Sequence, residues 1–258
     1  MRKKFLFSIV IGMAAGLVMA QDTVVLQEKT SDVSVNADVA LYSAYVWRGV
    51  IINDNMVVQP SVTAAKGPFS LNVWGSWNAV TRYDGDDDTE VDYTATYTLP
   101  LNTDVVTMDV GLLSYTFPGS GNGAKPTEEV FLKSTFNNIL LTPVATVYYD
   151  VDQVNGWYGN LALSHGVEIC DALSAEIGGS VGYGTRNALV AYGVEDNGSG
   201  AVADYNVYVS TDYALTEDLS LGALLQYTRL DGGVGNDVDG AQNNDILWGG
   251  VTLSYKFL

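Results

Sequence analysis

The sequence predicts an all-β protein, a transmembrane antiparallel up-and-down β-barrel of about 12 strands. Apolar and polar residues alternate with a period of two, in segments of about ten residues, from residue 33 onward. The connections between these segments alternate between short and long. The last segment, Trp248-Gly-Gly-Val-Thr-Leu-Ser-Tyr-Lys-Phe257-Leu258, sets Val251, Leu253, Tyr255 and Phe257 on one face and Thr252, Ser254 and Lys256 on the other. Apolar outside, polar inside and aromatic at the end is what a membrane barrel strand requires. Such barrels usually finish on an aromatic residue, and Leu258 after Phe257 is a small departure.

Residues 1–20 read as a cleavable signal peptide. Arg2, Lys3 and Lys4 give a positive start, Phe5 to Leu17 a short apolar stretch, and Val18-Met-Ala20 the small residues of a cleavage site. Gln21 is then the expected mature start, 21–32 a polar periplasmic leader, and 33–258 the barrel. The expected location is the cell outer membrane. No later stretch is a long unbroken apolar run, so no helical span is expected.

The strands follow in order. The first is expected at about 33–48, with Val33, Val35, Val39, Leu41, Tyr45 and Trp47 on the lipid face and Asn36, Asp38 and Arg48 opposite. The second is about 57–66 and the third about 69–81. The fourth, about 89–99, alternates most strictly: Val91, Tyr93, Ala95, Tyr97 and Leu99 against Glu90, Asp92, Thr94, Thr96 and Thr98. The others are expected at about 105–117, 128–136, 141–150, 156–166, 173–185, 203–213, 219–230 and 246–257. An even count returns both ends of the barrel to the periplasmic side. Pro60 and Pro143 fall inside strands, where each forfeits a ladder hydrogen bond, so bulges or strand ends are expected there.

Short connections are expected at 66–68, 100–104, 137–140, 168–172 and 214–218, and long ones at 82–88, 118–127, 186–202 and 231–245. Short periplasmic turns and long external loops are the barrel rule. A soluble β-sandwich also has short alternating strands, but it does not predict alternating loop lengths. Tyr and Trp near strand ends (Tyr45, Trp47, Trp77, Tyr83, Tyr149, Trp157, Tyr213, Trp248) fit aromatic girdles at the two membrane interfaces.

The formal charge is −18, and −21 once the three signal-peptide cations are gone. With no Lys/Arg-rich run, a nucleic-acid partner is excluded. Cys170 is the single cysteine and His165 the single histidine. Neither an internal disulfide nor a multi-cysteine metal site can form. Ser164 and His165 are adjacent on a strand, so their side chains point to opposite faces and cannot act as a pair. No enzyme activity and no cofactor are expected.

The run Leu41-Tyr-Ser-Ala-Tyr45-Val-Trp47-Arg48-Gly49 is followed by Gln59-Pro-Ser61, Asn72-Val-Trp74-Gly-Ser76, Glu90-Val-Asp92-Tyr93, Ser114-Tyr-Thr-Phe-Pro118-Gly119 and Glu128-Glu129-Val-Phe131. Together these resemble the TorF-like porin family, over roughly residues 35–160. The resemblance implies an outer-membrane barrel with a porin role, and no catalytic residues.

Charged residues supply the candidate site. Arg48, Arg82 and Arg186 sit where strands meet external loops and should face the lumen, while Arg229 has lipid-facing parity and should snorkel to the interface. Glu90, Asp92, Asp109, Asp150, Glu176 and Lys133 also face in. The expected pore lining is Arg48, Arg82, Arg186, Lys133, Glu90, Asp92 and Asp109. This set reads either as an eyelet that filters solutes by charge or as a salt-bridge network that fills a narrow barrel. The acidic loops 84–90 and 231–245 read as hydrated surface, with weak divalent-cation binding as a second use; neither has EF-hand spacing. The function expected is passive diffusion of small polar or ionic solutes through an outer membrane. The alternative is a non-conducting structural or adhesive barrel with acidic external loops.

Overall fold

The computed structural model describes residues 33–79, 89–118, 124–193, 198–231, 236–238 and 241–257. The expected signal peptide, the 21–32 leader, Arg82, Tyr83 and the acidic run 84–88 lie outside these described residues. The chain forms β1 (Ser34–Tyr42), β2 (Tyr45–Trp47), β3 (Val50–Asn53), β4 (Val57–Lys66), β5 (Phe69–Asn78), β6 (Glu90–Thr98), β7 (Val106–Thr116) and β8 (Thr127–Phe136). It continues with β9 (Val144–Asp150), β10 (Trp157–Cys170), β11 (Leu173–Gly184), α1 (Arg186–Ala191), β12 (Ala201–Ala214), β13 (Leu219–Leu230), β14 (Asn236–Val238), β15 (Ala241–Asn243) and β16 (Asp245–Lys256).

Twelve of these strands close into one antiparallel barrel; β2–β3 and β14–β15 are separate two-stranded ribbons. Each barrel strand pairs with its neighbour in the chain, and β1 closes the ring by pairing with both β4 and β16. Closure leaves no sheet edge, which lets strands cross a medium that cannot hydrogen-bond the backbone. The two prolines mark irregular points. The β4–β5 ladder is interrupted between Val58 and Ser61, around Pro60, and Pro143 stands just before β9.

The period-two pattern sorts the side chains. Val39, Leu41, Leu71, Val73, Leu112, Leu161, Val207, Leu225 and Val251 are exposed on the outside. Outward aromatics gather at two levels. Trp77, Trp157, Tyr183, Tyr205 and Tyr227 lie toward the long-loop end, and Phe69, Tyr213, Tyr255 and Phe257 toward the short-turn end. On β5 and on β12 the two levels are eight residues apart. That spacing is about 27 Å along a strand, or about 20 Å along the axis at a tilt of ~40°, close to the apolar height of a membrane barrel. Arg229 points outward as expected, and its Nη1 pairs with Asp245 Oδ1 at 3.3 Å on the surface. The pair is half exposed, so Arg229→Ala should leave the thermal unfolding midpoint unchanged within error, as measured by loss of the compact band on heated SDS gels.

Inside, several rings lie along the wall rather than across the lumen, because a neighbouring strand offers a glycine. A Cβ at Gly178 would lie 2.4 Å from the Tyr208 hydroxyl, and one at Gly111 2.3 Å from the Phe131 ring. The glycine-rich stretch of β11 therefore serves packing. At Gly182, likewise, a Cβ would meet the Asp204 carboxylate and the Tyr158 hydroxyl.

The main departure from expectation is the first strand. It ends at Tyr42, and the chain then turns inward as the β2–β3 hairpin before returning to the wall at Val57. Tyr45 is 2 % exposed, and Trp47 packs on Tyr115 and Tyr192, so neither belongs to an outer girdle. Trp248 is also interior, edge-on to Tyr42, with its Nε1 donating to Thr228 Oγ1 at 3.2 Å. Its inward side follows from parity with Thr252 and Ser254; its nearness to a strand end was the misleading cue.

Candidate functional site

The β2–β3 hairpin crosses the lumen at the long-loop end. Trp47 pairs with Val50, leaving Arg48 and Gly49 as a two-residue turn. Both residues have positive φ, 48° and 84°, as a type I′ turn requires. Glycine suits this at position 49, where a Cβ would also lie 2.8 Å from that of Asp204 on β12. Arg48 accepts a left-handed backbone and in return is placed at the hairpin tip.

At the tip, Arg48 is 3 % exposed and reaches the far wall. Its Nη1 and Nη2 donate to Glu129 Oε1 and Oε2 of β8 at 2.8 and 2.7 Å, a bidentate pair. Nη1 also donates to the Tyr192 hydroxyl, beyond α1. The guanidinium carbon lies 4.4–5.6 Å from the ring centroids of Trp47, Tyr148, Tyr158 and Tyr192. A desolvated cation over an aromatic face gains about 2 kcal/mol or more. Burial pushes the Tyr192 phenol up to about 12, against the opposing pull of Arg48, so the hydroxyl stays neutral.

The hairpin is anchored at its base as well. The Tyr45 hydroxyl donates to Glu90 Oε2 at 2.9 Å, and its ring leans on Trp74. Asn53 Nδ2 donates to Asn78 Oδ1. From the other side α1 folds in, with Ala188, Leu189 and Tyr192 packed on Tyr158, Ala203 and Leu230. Hairpin and helix thus form one plug held by β6, β8, β10 and β12.

Below the plug the lumen wall is polar and acidic. Asp38 accepts from Ser61, Asp109 from Thr98, Glu176 from Tyr208 and Ser164, and Asp212 from Ser220, while beside the hairpin tip Asp204 accepts from Tyr158 and Asn206, all at 2.7–3.2 Å. These donors are neutral hydroxyls and an amide. Arg48 and Lys133 are the cations on the inner side, with Lys256 at the short-turn rim, among the described residues. Several buried polar atoms have no protein partner: Asp38 Oδ1, Gln59 Oε1, Asp92 Oδ1, Thr146 Oγ1, both head atoms of Asn160 and Gln226 Oε1. They come from strands all round the barrel, and buried groups of this kind call for water or a ligand.

Glu90, Asp92, Asp109 and Lys133 all stand on the inner face, and Arg48 stands within the lumen on the hairpin. Arg186 is placed otherwise than expected: it opens α1 and is exposed, because the segment after β11 turns helical rather than continuing the wall. Asp150 faces in but is engaged. Its Oδ1 accepts three backbone N–H groups of the 152–155 turn and its Oδ2 accepts from Thr127. Glu129, Tyr192 and Asp204 were not anticipated. The parity of Glu129 with Phe131 and Lys133 was a usable sign for the first. Ser164 Oγ donates inward to Glu176, whereas His165 is exposed on the other face. Among the described residues no group of three His, Cys, Asp or Glu side chains is placed to hold a metal ion.

A closed twelve-strand barrel, apolar outside and polar within, has the architecture of outer-membrane channels. The chain belongs to the bacterial family of unknown function called Gcw_chp, whose model matches residues 26–168. Two solved structures share the fold at low sequence identity. One is the NanC porin, with a TM-score of 0.54, 14% identity, and 86% of this chain covering 100% of that one. The other is the COG4313 outer-membrane channel of Pseudomonas putida F1, with a TM-score of 0.55, 12% identity, and 92% covering 99%. No curated relative matches the sequence.

Proposed function

We propose that this protein is an outer-membrane, porin-like channel for passive diffusion of small polar or ionic solutes, in keeping with its TorF-like motifs, and that it favours cations. The observation that carries this reading is the acidic lumen wall, where Asp38, Glu176 and Asp212 are held by neutral hydroxyls. A path lined by fixed negative charge in a low-dielectric shell concentrates cations. The unpartnered polar atoms around the barrel support a wet interior. The plug narrows the external mouth, which limits passage to small solutes.

The second reading, a non-conducting structural barrel, is favoured by one feature: the enclosed Arg48–Glu129 pair leaves the plug tightly packed. Liposome swelling with solutes of graded size and charge separates the two. The channel reading expects entry of the smallest solutes, with cationic ones faster than anionic ones of equal size. No swelling by folded, inserted protein would favour the structural barrel.

A further inference from the structure

We propose that Glu90 and Asp92, with the amide oxygen of Gln59, form a cation-binding station inside the lumen that takes a divalent ion of calcium's oxygen-seeking kind. The two carboxylates stand on alternate residues of β6, so both face the interior, at 6 % and 4 % exposure. Two residues apart on one strand, their carboxyl groups share one patch of the inner wall. Two enclosed carboxyl groups on one patch offer up to four oxygen donors to a single ion.

The surroundings favour the cation. Arg48 spends its terminal nitrogens on Glu129, Tyr192 and Tyr115 rather than on this pair. Asp92 Oδ1 is buried without a partner. Gln59 is 3 % exposed, and its Nε2 donates to Ser76 Oγ at 3.2 Å. Ser76 lies directly across from Glu90 in the β5–β6 ladder. The Gln59 head group therefore reaches toward the carboxylates, and its Oε1 is also unpartnered. Two carboxylates, an amide oxygen and water are the oxygen donors calcium selects. Above them the Tyr45 hydroxyl holds Glu90, so the station lies at the base of the plug.

The inference deepens the channel reading by placing a cation in its path, but binding is measured without conduction, so the two can fail separately. Terbium is the probe, standing in for calcium, on the refolded protein in detergent. Trp74 and Tyr45, whose ring centroids are 5.5 Å apart, lie beside the site and should sensitise its emission. Saturable emission displaced by calcium is expected. In the double variant Glu90→Gln, Asp92→Asn the affinity should fall about tenfold or more, the loss that even outer-shell changes cause at metal sites. Gln59→Glu, which adds a carboxylate, should bind more tightly; folding of each variant is checked by its compact band on unheated gels. Absent saturable emission from the wild type overturns the proposal. So does undiminished binding by the double variant, which would put the metal on the external acidic loops, or unchanged affinity in Gln59→Glu.

Discussion

Arg48→Ala should raise single-channel conductance several-fold and lower the unfolding temperature of the folded barrel. Both effects come from one contact set. Arg48 is the only side chain of the two-residue turn, and through it the hairpin tip meets the far wall at Glu129. Removing one partner of a buried ion pair costs about 3–5 kcal/mol, because the other charge is left enclosed and uncompensated. Here Glu129 has a cheaper option than staying buried, since the hairpin can swing out and admit water to the lumen. The variant therefore converts part of its lost stability into an open mouth. Arg48→Lys tests the geometry: a point charge replaces the planar fork, so the bidentate contact is lost while the charge stays. An intermediate conductance is expected. Unchanged conductance in both variants would mean that the plug does not control the path.

Gly250→Ala should prevent the barrel from closing. The residue faces Tyr42 across the β1–β16 seam. A Cβ there would lie 2.0 Å from the Leu41 carbonyl oxygen and 2.6 Å from the Tyr42 ring. The nearer atom is backbone, so no side-chain rotation relieves the clash and the two strands must move apart. Overpacking commonly costs about 1–3 kcal/mol, and at the seam it also breaks ladder hydrogen bonds. The check is refolding into detergent: the wild type should give a compact band on unheated SDS gels and Gly250→Ala should not. A compact, protease-resistant band from the variant would contradict the packing assigned to this seam.

The strand pattern was legible because a membrane barrel puts each strand between two opposite solvents. The second and eleventh expected strands coincide with β4 and β13, residues 57–66 and 219–230. The inward parity of Glu90, Asp92, Asp109 and Lys133 was legible for the same reason. The plug was not, since its apolar residues Tyr45, Val46, Trp47 and Ile51 pack on other protein rather than on lipid. They continue the alternation of β1 in phase and read as more wall. The local sign of a hairpin was there: Arg48-Gly49 between two short β-rich runs, Tyr45-Val46-Trp47 and Val50-Ile51-Ile52. The pairing of Arg48 with Glu129 was out of reach, because it spans 81 residues and depends on how far the hairpin leans across the barrel. Arg186 was misplaced because a short helix interrupts the loop after β11, where period-two reasoning has no hold.

An acidic lumen of this kind should conduct cations. The most direct test is planar-bilayer recording of the refolded wild-type protein under a potassium chloride gradient, with Arg48→Ala alongside. Discrete small steps are expected from the wild type, larger steps from the variant, and a reversal potential of the cation-selective sign in both. Correctly folded, inserted protein that stays silent in both forms, or that reverses with the anion-selective sign, would contradict this.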